Sequence, residues 1–131
     1  MSKSYLGAAG IAVSDLDASA AFYTEMLGMV ELQTIEISGM KQIVLGFEGV
    51  RGASVLLMKH ADDKNRSFEL SPVKLVFYVA DTAGILEAVR AANYVVEKEA
   101  AAFAPMGGAI IGFAKDPDGH LIELIQKPAR E

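Results

Sequence analysis

The feature that most constrains this chain is an internal repeat. Val13 and Asp15 recur as Val79 and Asp81, and Val44-Leu45-Gly46-Phe47 recurs as Ile110-Ile111-Gly112-Phe113, every pair 66 positions apart in a chain of 131 residues. One fixed spacing near half the chain length, linking strand ends, helix-cap residues and a Gly-Phe dipeptide, marks two copies of one supersecondary unit. Half of this chain is too short to bury an independent core, so the expectation is a single domain over residues 1–131. It is made of two repeats, about 5–59 and 73–126, joined by a polar connector at 60–72.

Each copy reads as a strand, a helix and three further strands. In the first, Tyr5 to Val13 is apolar and β-compatible. Asp15 to Gly28 carries Leu16, Ala20, Phe22, Tyr23, Met26 and Leu27 near helical spacing before a glycine stop. Strands are expected near Val30 to Ile37, Lys41 to Phe47 and Ala53 to Lys59, with Ser38-Gly39 and Glu48-Gly49 as turns. The second copy gives a strand from Val73 to Val79 and a helix from Asp81 to Asn93, with Ile85, Leu86 and Val89 inward. Strands follow near Tyr94 to Lys98, Ala109 to Ala114 and His120 to Gln126. Asp116-Pro117-Asp118-Gly119 is a turn in which proline fixes one dihedral and glycine supplies a positive one.

Composition narrows the chemistry. A net charge of -5 without a Lys/Arg cluster argues against nucleic acid and anionic membranes, because phosphate neutralisation needs a basic face. With no cysteine and two histidines, disulfides, thiol nucleophiles and cysteine-ligated metal centres are excluded, and a reducing compartment such as the cytoplasm is the expectation. The apolar N-terminal stretch runs into the cap pair Ser14-Asp15, which reads as a strand leading into a helix and not as a targeting segment. No serine triad, phosphate loop or dinucleotide fingerprint is present.

Two segments carry a family resemblance. Gly10-Ile11-Ala12-Val13-Ser14-Asp15-Leu16, followed by Ser19, Phe22-Tyr23 and Leu27-Gly28-Met29, resembles the opening signature of glyoxalase I and its relatives. Phe113-Ala114-Lys115-Asp116-Pro117-Asp118-Gly119-His120-Leu121-Ile122-Glu123-Leu124 resembles their closing signature. The chain is thereby similar to the vicinal-oxygen-chelate superfamily of glyoxalase I, bleomycin-resistance proteins and extradiol dioxygenases. The resemblance implies an α+β fold of two tandem βαβββ modules forming a cupped mixed sheet with helices outside. It also implies a ligand groove inside the cup and completion by a homodimer.

In metal-dependent members of that family, four groove-facing side chains hold a divalent ion, one on the first strand and one on the last strand of each copy. Carried onto this chain, those positions fall on Ala8, on Leu56 or Leu57, on Lys74 and on Glu123. The repeat relates Ala8 to Lys74 independently; it would pair Glu123 with Leu57, whereas the motif match gives Leu56. Alanine and leucine offer no lone pair and a lysine ammonium offers only protons, so a metal-less member with no cofactor is expected. His60 shares strand parity with Leu56 but lies roughly 13 Å further along an extended strand, too far to substitute.

Strand alternation sorts the faces. Ile11 and Val13 go under the first helix, leaving Ala8, Gly10 and Ala12 toward the groove. Leu75, Phe77 and Val79 go under the second helix, leaving Lys74, Val76 and Tyr78 inward with Leu121, Glu123 and Ile125. Glu123 and Lys74 are the candidate catalytic pair, a general base and the cation that stabilises a developing enolate; the competing reading is a structural ion pair. Tyr78, Met58, Phe103 and Met106 are candidate ligand contacts, Met58 having core filling as its plainer role. Residues 100–108 read as a long apolar loop with a glycine hinge, either a lid carrying Phe103 and Met106 or a contact with a dimer partner. His120 and Tyr23 are assigned to structure.

Two functional readings follow. The first is a glyoxalase/bleomycin-resistance-like protein that binds a small hydrophobic or aromatic ligand in a metal-free groove. The second is a metal-independent isomerase, epimerase or lyase that uses Glu123 and Lys74. Classical metal-dependent glyoxalase I or dioxygenase activity is disfavoured by the residues at the four ligand positions.

Overall fold

A computed structural model describes residues 6–37, 39–61 and 73–128. The chain divides into two units, residues 1–68 and 69–131. Each repeats the order strand, helix, three strands.

The first unit contains β1 (Ala8–Ala12), α1 (Leu16–Leu27), β2 (Val30–Ile37), β3 (Met40–Gly46) and β4 (Ser54–His60). Its sheet order is β1-β4-β3-β2. β1 pairs with β4 in parallel, and the other pairs are antiparallel. The helix forms because Asp15, in extended conformation, accepts a hydrogen bond from Ala18 N at 3.0 Å, while Gly28 at φ 75 closes the last turn. Leu16, Ala20, Phe22 and Tyr23 are buried, the two rings meeting edge to face at 5.1 Å. Beneath them lie Ile11, Leu45, Val55 and Leu57, each 5% exposed or less.

The second unit contains β5 (Lys74–Tyr78), α2 (Thr82–Ala91), β6 (Val95–Phe103), a 3-10 turn (Ala104–Met106), β7 (Ala109–Lys115) and β8 (Leu121–Gln126). The order β5-β8-β7-β6, with β5 parallel to β8, repeats the first unit's topology. Asp81 caps α2 through Gly84 N at 3.0 Å, as Asp15 caps α1. The buried Thr82 ties the helix start to the sheet: its hydroxyl donates to Ile110 O at 3.0 Å, and its N–H donates to the Gln126 side chain at 3.0 Å. The repeated glycine has a packing reason here. A Cβ on Gly112 would lie 2.5 Å from Leu86 Cδ1 and 3.2 Å from the Lys98 carbonyl oxygen, so any larger residue would force the buried Leu86 side chain to move.

The element order and the helix-covered faces agree with the sequence expectations, and three boundaries differ. The apolar loop expected at 100–108 is mostly strand. β6 continues through Phe103, with Ala101 opposite Ile111, Ala102 opposite Ile110 and Phe103 opposite Ala109. Only the 3-10 turn and Gly107-Gly108, both at positive φ, connect it to β7. Alanine-rich composition hid this strand, since its stability comes from ladder hydrogen bonds supplied by β7 and not from intrinsic β propensity. The connector expected from residue 60 starts later, because His60 still pairs with Met40 at the end of β4. The rest of the connector, from 62, lies outside the described residues. The first strand begins at Ala8, and the expected Tyr5 also lies outside them. Among the described residues, no helix is long and apolar enough to cross a membrane.

Candidate functional site

Each sheet has one face under its helix and one face turned away from it, and strand register decides which residues stand on the second. In the second unit the parallel pairing sets Lys74 beside Leu121, Val76 beside Glu123 and Tyr78 beside Ile125. The antiparallel pairing then sets Lys115 beside Leu121, Phe113 beside Glu123 and Ile111 beside Ile125. Directly opposed residues share a face, so these nine side chains form one surface opposite α2. Ile122 and Leu124 stand on the other face and are fully buried.

Glu123 is thus ringed by Val76, Phe113, Leu121 and Ile125. Its polar partner is Lys74, which reaches diagonally along the face to place Nζ 2.9 Å from Glu123 Oε1. The carboxylate side chain is 12% exposed, whereas that of the lysine is 48% exposed. A charge so nearly covered requires a counter-charge, and the ammonium supplies it. The lysine side chain stays half-exposed beside the covered carboxylate. A second ion pair on this face, Lys115 with Glu97, is looser at 3.9 Å.

The three candidate ligand contacts of the second unit fall unevenly. Tyr78 stands on the same face as Lys74 and Glu123, 62% exposed, with Lys127 Nζ 5.0 Å from its ring centroid. Beside it is a depression of about 490 Å3 lined by Tyr78, Val79, Ala80, Ile125, Gln126 and Lys127. Phe103 shares the face through its pairing with Ala109 but sits on the far edge strand, three strand spacings or roughly 14 Å from β5. Met106 lies in the 3-10 turn and is exposed. The lid reading of this segment loses its basis, because Phe103 is fixed in a ladder and the remaining turn is short.

Met58 belongs to the first unit. There Gly10 pairs with Leu56 and Ala12 with Met58, and a Cβ on Gly10 would come within 3.1 Å of Met58 Cε. Met58 therefore fills space above a glycine, half-buried. The same register resolves the choice between Leu56 and Leu57. Leu56 stands on the face turned away from α1, opposite Gly10, as Glu123 stands opposite Val76; Leu57 is fully buried under α1.

His120 is 2% exposed. The Asp116 carboxylate accepts from Asp118 N at 3.0 Å and His120 N at 2.8 Å, so this segment builds the turn before β8. Sequence reasoning missed Phe113, Ile111 and Lys127. The first two needed only the β7–β8 register, which alternation within one strand does not supply.

Residues 5–124 match the model of the Glyoxalase/Bleomycin resistance protein/Dioxygenase superfamily. The chain belongs to that superfamily. It is 35% identical over 120 residues to a Vibrio parahaemolyticus protein named "Probable lactoylglutathione lyase", covering 87% of this chain and 84% of the relative. It is 34% identical to the lactoylglutathione lyase of Haemophilus influenzae, covering 87% and 86%. Among solved structures, glyoxalase I from Zea mays superposes with a TM-score of 0.81 at 26% identity over 95% of this chain. The match spans 45% of the maize chain, so this chain covers less than half of that enzyme.

The superfamily's divalent ion does not fit the residues present. In the first unit, Ala8 and Leu56 carry no donor atom. In the second, Lys74 presents an ammonium and holds the one carboxylate, Glu123, as its own partner. Among the described residues no group of three or more His, Cys, Asp or Glu side chains is placed to hold a metal.

The pair's energetics are directly testable. Lys74→Met leaves a nearly covered carboxylate without its counter-charge and should cost about 1–2 kcal/mol, after allowing for the half-exposed lysine. The double variant Lys74→Met/Glu123→Leu should recover to near wild type. Urea unfolding of the set measures this, and a double variant no more stable than the single would refute the ion-pair account.

Proposed function

We propose that this protein binds a small hydrophobic or aromatic organic molecule on a metal-free site at the face carrying Lys74, Glu123 and Tyr78. The observation that carries the reading is the 2.9 Å contact between the Lys74 ammonium and the Glu123 carboxylate, at two of the positions where the superfamily resemblance places metal ligands. An ammonium there repels a divalent cation and leaves an outward donor for a ligand oxygen. The exposed Val76 and the part-buried Phe113 suit an apolar body, and few polar groups suffice to orient one. A thermal-shift screen against small aromatic and carbonyl compounds, run with zinc or nickel and with chelator, tests it. Stabilisation by an organic compound that is indifferent to chelator is expected. Metal-dependent stabilisation would overturn the reading.

A second reading is favoured by the relatives named lactoylglutathione lyase: proton transfer next to a substrate carbonyl without a metal. Glu123 would take the proton, and Lys74 would stabilise the oxygen on which charge develops. With a substrate in hand, Glu123→Gln should then lower kcat by roughly 100-fold or more. Unchanged turnover would remove Glu123 as the base and return the pair to ligand orientation.

We further propose that the protein works as a homodimer in the cytoplasm. Leu32 and Ile37 on edge strand β2, and Val95 on edge strand β6, are more than half exposed, which is apolar surface suited to a second copy. Light scattering should return twice the chain mass, and a monomer at micromolar concentration would rule the dimer out.

A further inference from the structure

The Lys74–Glu123 pair has a property that the binding proposal leaves unused: it is electrically closed. The ammonium is offered to solvent while its compensating charge lies 2.9 Å away and 12% exposed. A ligand oxygen that accepts from Lys74 must therefore approach within a few ångström of the Glu123 carboxylate as well. For a neutral carbonyl the donor's dipole attraction remains. For a carboxylate, much of the attraction to Lys74 is offset by repulsion from Glu123, whose oxygen lies about 5 Å from any second acceptor on the same tetrahedral ammonium.

The rest of the face does little to change that balance at the contact. Lys115 is paired with Glu97. Lys98 is the register partner of Phe113 on the edge strand, exposed and about two strand spacings, ~10 Å, from Glu123. Lys127 lies over Tyr78, four residues along β5 from Lys74 and so roughly 13 Å away. Exposed charges at such separations are screened at physiological salt. Between Lys74 and Tyr78 on β5 lies the exposed Val76, with Phe113 part-buried beyond Glu123 and Ile125 buried beside Tyr78.

We infer that the face selects an aromatic or aliphatic compound bearing a neutral carbonyl acceptor, such as a ketone, aldehyde or amide, over the corresponding carboxylate, and that Glu123 sets this selectivity by cancelling the charge of Lys74. The carbonyl oxygen accepts from Nζ, and the apolar body lies along the exposed Val76 toward Tyr78. The inference rests on the proposal that this face holds a small organic ligand, and it adds the polar group that the ligand must carry. Glu123 acts here as a specificity-determining residue through Lys74. Removing its charge while keeping its shape leaves an uncompensated ammonium, which then prefers the anion.

The test uses two probes of nearly equal size, 2-acetylnaphthalene and 2-naphthoate, titrated at pH 7 into the full chain while backbone amide shifts of Val76, Tyr78 and Glu123 are followed. In wild type the ketone should bind at least about fivefold tighter. In Glu123→Gln the ratio should move toward the carboxylate by about tenfold or more. Equal or tighter wild-type binding of naphthoate overturns the inference without needing any variant to fold, and leaves ligand binding on this face intact. An unchanged ratio in a folded Glu123→Gln variant overturns the assignment to Glu123. If neither probe moves these amides, the underlying ligand-face proposal fails, and the selectivity falls with it.

Discussion

The parallel pairing between the first and last strands of each unit is the constraint on which the site depends. It closes a strand–helix–three-strand segment into one sheet, and it fixes which residues stand side by side across the seam. Because side chains alternate, a one-residue slip of β8 against β5 would carry Glu123 under α2, into a layer where Ile122 and Leu124 are fully buried. The helix resists such a slip. Thr82 is bonded at once to β7 and to the end of β8, and Gly112 leaves room for Leu86 of α2 to pack on β7.

That arrangement gives the face its chemistry. A carboxylate surrounded by hydrocarbon is costly unless paired, and the residue that pairs it is the lysine standing where the superfamily resemblance places a metal ligand. The ammonium carried on the chain supplies the counter-charge that the nearly covered Glu123 needs. The cost is reach: an ammonium supplies hydrogen-bond donors but cannot bind two substrate oxygens in one coordination sphere.

Membership of the superfamily settles architecture more firmly than activity. Relatives at 34–35% identity carry the name of a lyase, while the positions that would hold its metal have changed character here. One scaffold with a different set of groups on its open face is a different chemical problem for a ligand, and function has to be read from those groups.

The sequence by itself determined the duplicated unit, the cap residues Asp15 and Asp81 and the helix-facing layers, because each is written in local pattern or residue identity. Most of the fold was legible in this way, as was the shared face of Lys74 and Glu123, though not their contact. Tertiary structure alone decided what depends on register between strands distant in sequence. It placed Leu56 and not Leu57 on the open face, brought Phe113 beside Glu123 and drew Ala100 to Phe103 into a ladder with β7 instead of a loop. It also locked the lysine onto the carboxylate, since contact between two side chains 49 positions apart follows from pairing geometry that no single strand encodes.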